Sequence, residues 1–94
     1  MSENISERRI VTILIKSLAV GDMEGNFKIY DLNNHNILYT ISAHNSEITT
    51  MDFIDFDDNL ILATGSKDKL IHIFDANLDF ILIKTLDVHS LSLI

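Results

Sequence analysis

A stretch of fifteen residues recurs in this chain in altered form, and that repetition limits the possible folds more than any other feature. LAVGDMEGNFKIYDL (Leu18 to Leu32) lies over LATGSKDKLIHIFDA (Leu62 to Ala76) at an offset of 44 residues. Identical residues fall at Leu18/Leu62, Ala19/Ala63, Gly21/Gly65, Ile29/Ile73 and Asp31/Asp75, and Tyr30 stands over Phe74. A separate anchor has nearly the same spacing: Ala43-His44 returns as Val88-His89, with the two histidines 45 residues apart. A fixed period of this kind marks stacked units of equal architecture, none of which can bury its apolar face alone. A period of about 40–45 residues is that of a four-stranded propeller blade.

The local patterns within each period are strand patterns. Ile48 to Ile54 is rich in β-branched and aromatic residues, and Asp55 to Asn59 supplies polar turn chemistry. Leu60 to Gly65 is a short apolar run suited to burial on both faces. Gly65 to Lys69 is polar, contains a glycine, and reads as a hairpin turn before a strand at Leu70 to Asp75. A polar link, Ala76 to Asp79, leads to a further strand at Phe80 to Leu86. In the first unit, Ser17 to Asp22, Asn26 to Asp31 and Asn36 to Ser42 read as three strands, and the strand expected before them falls near Ile5 to Leu14. The fold expected is all-β, a β-propeller fragment of about two four-stranded antiparallel blades. Its organisation runs as a poorly matched extension over 1–16, a degenerate first blade over 17–42, a second blade over 43–87, and the start of a third repeat over 88–94.

Composition narrows the chemistry. The 94 residues are 47% hydrophobic and 22% charged, which is globular rather than disordered composition. Without cysteine there is no disulfide or thiolate metal site. A net charge of −7, spread along the chain, repels phosphate backbones and anionic lipid, so neither nucleic acid nor membrane is expected as a partner. Ile10 to Val20 follows two arginines and is apolar, which loosely resembles a secretory signal. Lys16 interrupts that run, Glu3 and Glu7 offset Arg8 and Arg9, and the length is far short of the roughly 20 residues a membrane helix needs. It reads as buried strand.

Ala43-His44, then 29 intervening residues, then Phe74-Asp75, resembles the Gly-His…Trp-Asp frame of WD40 repeats, and LATGSKDKLIHIFD resembles that family's strand–turn–strand signature. The resemblance covers Leu18 to His89. More narrowly, AHNSEI followed by LATGSKDKLIHIFDA and TLDVHS is similar to the mitogen-activated protein kinase-binding WD-repeat scaffolds, large centrosome- and kinase-associated propeller proteins. The resemblance implies a buried network linking His44, the turn aspartate Asp68, a strand hydroxyl (Thr64 or Ser66) and the residue at the tryptophan position, Phe74 beside Asp75. Phenylalanine has no N–H, so the network is expected to be incomplete, with His44 and Asp68 still able to pair. In the first unit Glu24 takes the aspartate position and Tyr30, beside Asp31, the tryptophan position, which implies a degenerate repeat held more by apolar packing than by hydrogen bonds.

Sharper chemical readings fare poorly. His44 and Asp68 have the residue types of a catalytic dyad, but no nucleophile motif accompanies them, and buried polar groups must pair simply to be tolerated. Asp52, Asp55, Asp57 and Asp58 invite a calcium reading; counting from Asp55, Leu60 and Ser66 occupy the places a calcium loop gives to glycine and glutamate. His35, His44, His72 and His89 lack zinc-site spacing, and Gly21, Gly25 and Gly65 form no phosphate loop. Asn4-Ile5-Ser6 is a glycosylation sequon that a chain without a secretory signal does not use. No catalytic, metal or cofactor site is expected.

Two four-stranded units cannot close a ring, since propellers use about four to eight blades. A truncated gene product or gene model is therefore expected, with several copies completing a ring as the alternative. In isolation, Leu60 to Leu62 and Phe80 to Ile83 are expected as aggregation-prone edges. The function expected is a non-catalytic, cytoplasmic scaffold that binds other proteins, kinase- or centrosome-associated by subfamily resemblance. Its docking face is placed at Ala43, His44, Asn45, Ser46 and Glu47 with Lys67 and Asp68, because loops on a rigid β frame carry function. The rivals are a self-assembling β module and an accessory domain of a larger enzyme.

Overall fold

The computed structural model describes residues 9–14 and 16–88. His89, the possible third unit at 90–94, the sequon at 4–6 and the early part of the expected first strand lie outside the described residues.

Eight strands form two antiparallel sheets in simple up-and-down order. The first blade contains β1 (Ile10–Leu14), β2 (Ser17–Gly21), β3 (Asn26–Asp31) and β4 (Ile37–Ser42), and the second β5 (Ile48–Phe56), β6 (Asn59–Ser66), β7 (Leu70–Asp75) and β8 (Ile81–Asp87). The sequence repeat is a structural repeat down to the register. Leu18 pairs with Tyr30 as Leu62 pairs with Phe74, and Ala19 with Ile29 as Ala63 with Ile73. Both blades shift register at one equivalent place, between Ile29 and Tyr30 and between Ile73 and Phe74. A bulge there bends the outer strand and sharpens the twist of the sheet.

The turns recur as well. Asp31 Oδ1 accepts the Asn33 N–H at 2.8 Å, and Asp75 Oδ1 accepts the Asn77 N–H at 2.9 Å, so each aspartate that ends a third strand also folds the link to the fourth. Gly25 (φ 93°) and Lys69 (φ 70°) occupy the same left-handed turn position. The β5–β6 hairpin is tighter than the sequence suggests: strand pairing runs out to Phe56 and Asn59, leaving Asp57 and Asp58 as the two turn residues. Both have positive φ, 54° and 64°, as a two-residue turn matched to strand twist requires.

The blades pack face to face. Ala19, Phe27 and Ile29 of the first and Ile48, Met51, Leu62, Phe74 and Phe80 of the second form one core. Phe27 is the central residue: its ring meets Phe74 edge-on at 5.0 Å and Phe80 at 6.1 Å, the favoured geometry for aromatic quadrupoles. Burying such a side chain contributes about 2–3 kcal/mol. Two polar contacts join the blades at opposite ends. The Ile48 N–H donates to the Asp22 carbonyl at 3.1 Å, and the Tyr39 hydroxyl donates to Asp79 Oδ1 at 2.6 Å.

Two expectations are corrected. Leu60 to Leu62 is not an edge, because β6 is paired on both sides, by β5 and β7. The second segment does lie at an edge, in β8, where Ile81, Leu82 and Ile83 are about half exposed. Nor is β6 buried equally on both faces: Leu62 and Thr64 are fully buried on the first blade, while Ile61 and Ala63 on the other face are only partly covered. With two blades, each sheet has one neighbour and therefore one covered face. The radius of gyration, 13.5 Å, slightly exceeds the about 12 Å expected of a globular chain of this length, as an open pair of sheets should.

Candidate functional site

The β4–β5 connection crosses the β6–β7 turn at one end of the second blade, and His44 joins them. Its backbone is fixed first: the N–H groups of Ala43 and His44 both donate to the Gly25 carbonyl, at 3.1 and 2.9 Å. The side chain, fully buried, then points between the two loops. Its Nδ1 lies 3.0 Å from Asp68 Oδ2 and 3.2 Å from Oδ1, and its Nε2 lies 2.8 Å from Thr64 Oγ1. A carboxylate only accepts, so Nδ1 carries the proton and donates to Asp68, and Nε2 accepts from the Thr64 hydroxyl. Asp68 also accepts the Leu70 N–H at 2.9 Å and the Asn45 N–H at 3.2 Å.

Titration behaviour follows from this geometry. Burial holds the His44 imidazole below its ordinary pKa of 6.5, against the opposing hydrogen bond and charge of Asp68, with His72 adding to the depression. Burial alone would raise Asp68. The N–H donors from Leu70, His44 and Asn45 together outweigh it and hold the carboxyl below its ordinary 3.8. The pair therefore rests as neutral imidazole and carboxylate, a structural clamp.

Thr64 and Ser66, the alternative strand hydroxyls, take different roles. Thr64 belongs to the His44 chain. Ser66 Oγ donates to the Ser46 carbonyl at 3.1 Å and accepts the Asp68 N–H at 3.1 Å, tying the two loops together a second time. Lys67 adds a third tie: its N–H donates to the Glu47 carbonyl at 3.0 Å, and its ammonium lies 2.9 Å from Glu47 Oε1.

Phe74, at the position where the resemblance puts an indole, leaves the polar chain for the Phe27 contact. His72, two residues earlier on the same face, takes part where sequence reasoning gave it no role. Its ring stacks on His44 at 4.3 Å, and its Nδ1 lies 2.8 Å from Thr85 Oγ1. The signal was strand alternation, since a residue two before Phe74 must share its face. Among the described residues no buried side-chain nitrogen or oxygen lacks a hydrogen-bond partner.

The seven residues of the expected docking face do come together, but they do not all face out. His44 and Glu47 are buried, and Ala43, Ser46 and Asp68 half-buried, which leaves Asn45 and Lys67 exposed at the rim. Tyr30 and Asp31 lie in the other blade, Tyr30 on the face turned away from the second and Asp31 at the strand end. Tyr30 lines a groove of about 410 Å³ there with Val11, Leu18, Val20 and Leu32.

Residues 35–75 match the family described as WD domain, G-beta repeat, which spans β4 through β7. Mitogen-activated protein kinase-binding protein 1 of Mus musculus is 39% identical over 77 residues, which is 81% of this chain and 5% of that protein. WD repeat-containing protein 62 of Sus scrofa is 35% identical over 77 residues, again 81% of this chain and 5% of that protein. The chain thus spans about 5% of the length of these relatives. The β-propeller domain of Myceliophteria thermophila Cps50 (Swd1) superposes with a TM-score of 0.66 over 85% of this chain and 29% of that one; at 21% identity the likeness concerns fold alone.

Proposed function

Because the chain belongs to the WD40-repeat family, we propose that it is a non-catalytic, cytoplasmic protein-interaction module whose docking rim is formed by the β4–β5 connection and the β6–β7 turn. The observation that carries this reading is the cross-tying of the two loops. His44, Ser66 and Lys67 each bond across from one loop to the other, so Asn45 and Lys67 stand exposed on a backbone with little freedom left to lose. A rigid rim binds without a large ordering cost, which is what a docking surface needs. The same bonds engage His44 and Asp68 fully in structure, and the scaffold-type names of the relatives favour a binding module over an enzyme.

A relative's name supplies the partner class: that protein is called mitogen-activated protein kinase-binding, and we extend the class to this chain. Titration of a purified mitogen-activated protein kinase into the chain by calorimetry is the test. Saturable micromolar binding is expected, weakened about tenfold, or 1.4 kcal/mol, by the double variant Asn45→Ala, Lys67→Ala with its β-sheet circular dichroism unchanged. Binding that ignores the double variant places the rim elsewhere; absence of binding removes the kinase as partner.

A further inference from the structure

We propose that the chain assembles head to tail with copies of itself, the open face of the first blade receiving the open face of the second blade of the next copy. Equivalences fixed by strand register carry the inference. Val11, Ile13, Leu18, Val20, Lys28 and Tyr30 point away from the second blade. Position for position they correspond to Met51, Phe53, Leu62, Thr64, His72 and Phe74, the face the second blade buries on the first. The converse also holds. Asp52, Ala63, Gly65, Ile71 and Ile73 on the second blade's open side occupy the places of Thr12, Ala19, Gly21, Phe27 and Ile29, the face the first blade turns to the second, where all but Thr12 are buried. One open face is the counterpart of an inserting face and the other of a receiving face. The interface inside the chain can therefore repeat between chains.

The open faces are apolar enough for that contact. Val11 is 53% exposed and Ile13 61%, beside the groove lined by Tyr30. Ile54, on the second blade's open side, is 39% exposed. A contact between unlike faces either closes into a ring or continues as a filament. Propellers close at about four to eight blades, which corresponds to roughly two to four copies of this two-blade chain. Like charge opposes the contact, since each copy carries −7, so association strengthens as salt screens that repulsion.

Light scattering on size-exclusion eluate of the full chain, across micromolar concentrations and at two ionic strengths, reads the assembly. The wild type is expected to run as closed species of two to four copies of 10.7 kDa, favoured by salt. Val11→Glu blocks the first open face and Ile73→Glu the second; each alone is expected to be monomeric with unchanged β-sheet circular dichroism. Should Ile73→Glu fail to fold, Ile54→Glu blocks the same side from a more exposed position. Mixed in equal amounts, the two variants are expected to form a one-to-one pair and stop, because each keeps the face the other lacks. A wild type that stays monomeric throughout overturns the proposal. So does a single variant that still dimerises, which means pairing of like faces, and so does a mixture that does not pair.

Discussion

Replacing Thr64 by valine keeps shape and β-branching and removes only the hydroxyl, so its cost isolates the polar chain around His44. The hydroxyl is the donor to His44 Nε2 at 2.8 Å, and the imidazole is fully buried, so water does not replace it. Other protonation states give no escape. Moving the proton to Nε2 turns a lone pair toward the Asp68 carboxylate, and protonating both nitrogens puts an N–H where valine offers no acceptor. An acceptor left buried without a partner costs about 1–3 kcal/mol. At about 2 kcal/mol, in a chain of this size where 1 kcal/mol moves Tm by about 4–8 °C, the melting point should drop by about 8–16 °C. The assay is urea and thermal unfolding followed by circular dichroism, with every variant at one protein concentration, since self-association makes stability depend on concentration. Thr64→Ser, which restores the donor, should recover most of the loss. In the double variant His44→Phe, Thr64→Val, the second change should cost at least about 1 kcal/mol less than it does alone. A Thr64→Val chain within about 0.5 kcal/mol of wild type, the range of an ordinary surface change, would refute the assignment of Thr64 as the donor to a buried imidazole.

Acid should destabilise the fold in two stages. The unfolded chain takes up a proton at His44 near its ordinary 6.5 while the folded chain resists, so this contribution is present above that pH and is lost as pH falls below it. Asp68, also depressed, adds a second loss below about 3.8; a His44→Phe chain whose stability still falls from pH 6.5 to 5 in parallel with wild type would remove the first stage. Gly25→Ala should destabilise by at least about 2 kcal/mol in urea unfolding, because φ is 93° there and the added methyl meets the His44 carbonyl backbone. Tyr39 should ionise above the ordinary phenol value of 10.0, chiefly through its hydrogen bond to Asp79, and Asp79→Asn should bring it down in an ultraviolet titration.

What could be read from the chain was whatever repeats. The equivalences of Leu18 with Leu62, Ala19 with Ala63 and Asp31 with Asp75 survive as equal pairings and equal turns, since a repeated sequence in a repeated setting has the same local solution. What could not be read was which face each sheet turns toward the other. Both faces of β3 and of β7 carry apolar residues, so period-two alternation assigns no inside, and the choice of Phe27 and Ile29 in one blade against His72 and Phe74 in the other is made by docking. For the same reason His44 and Glu47, expected among the docking residues, are buried, since a loop position alone does not say which way a side chain points. The stacking of His72 on His44 lies across strands and loop, where spacing along the chain carries no information.

The substitution at the tryptophan position then has a physical account. An indole N–H in the polar chain would add one hydrogen bond, a net gain of about 1 kcal/mol. Phe74 gives that up and sets its ring edge-on against Phe27, whose own equivalent in the second blade is only Ile71. An aromatic pair of this geometry contributes about 0.5–1.5 kcal/mol beyond the area it buries, so the exchange is close to even. The hydroxyl that such an N–H would engage is not stranded, because Thr64 donates to His44. Departure from the Trp-Asp pattern is thus no measure of weakness. It moves stabilisation from the loop end of the blade to the seam between blades, and the seam is the part of this architecture that can be repeated.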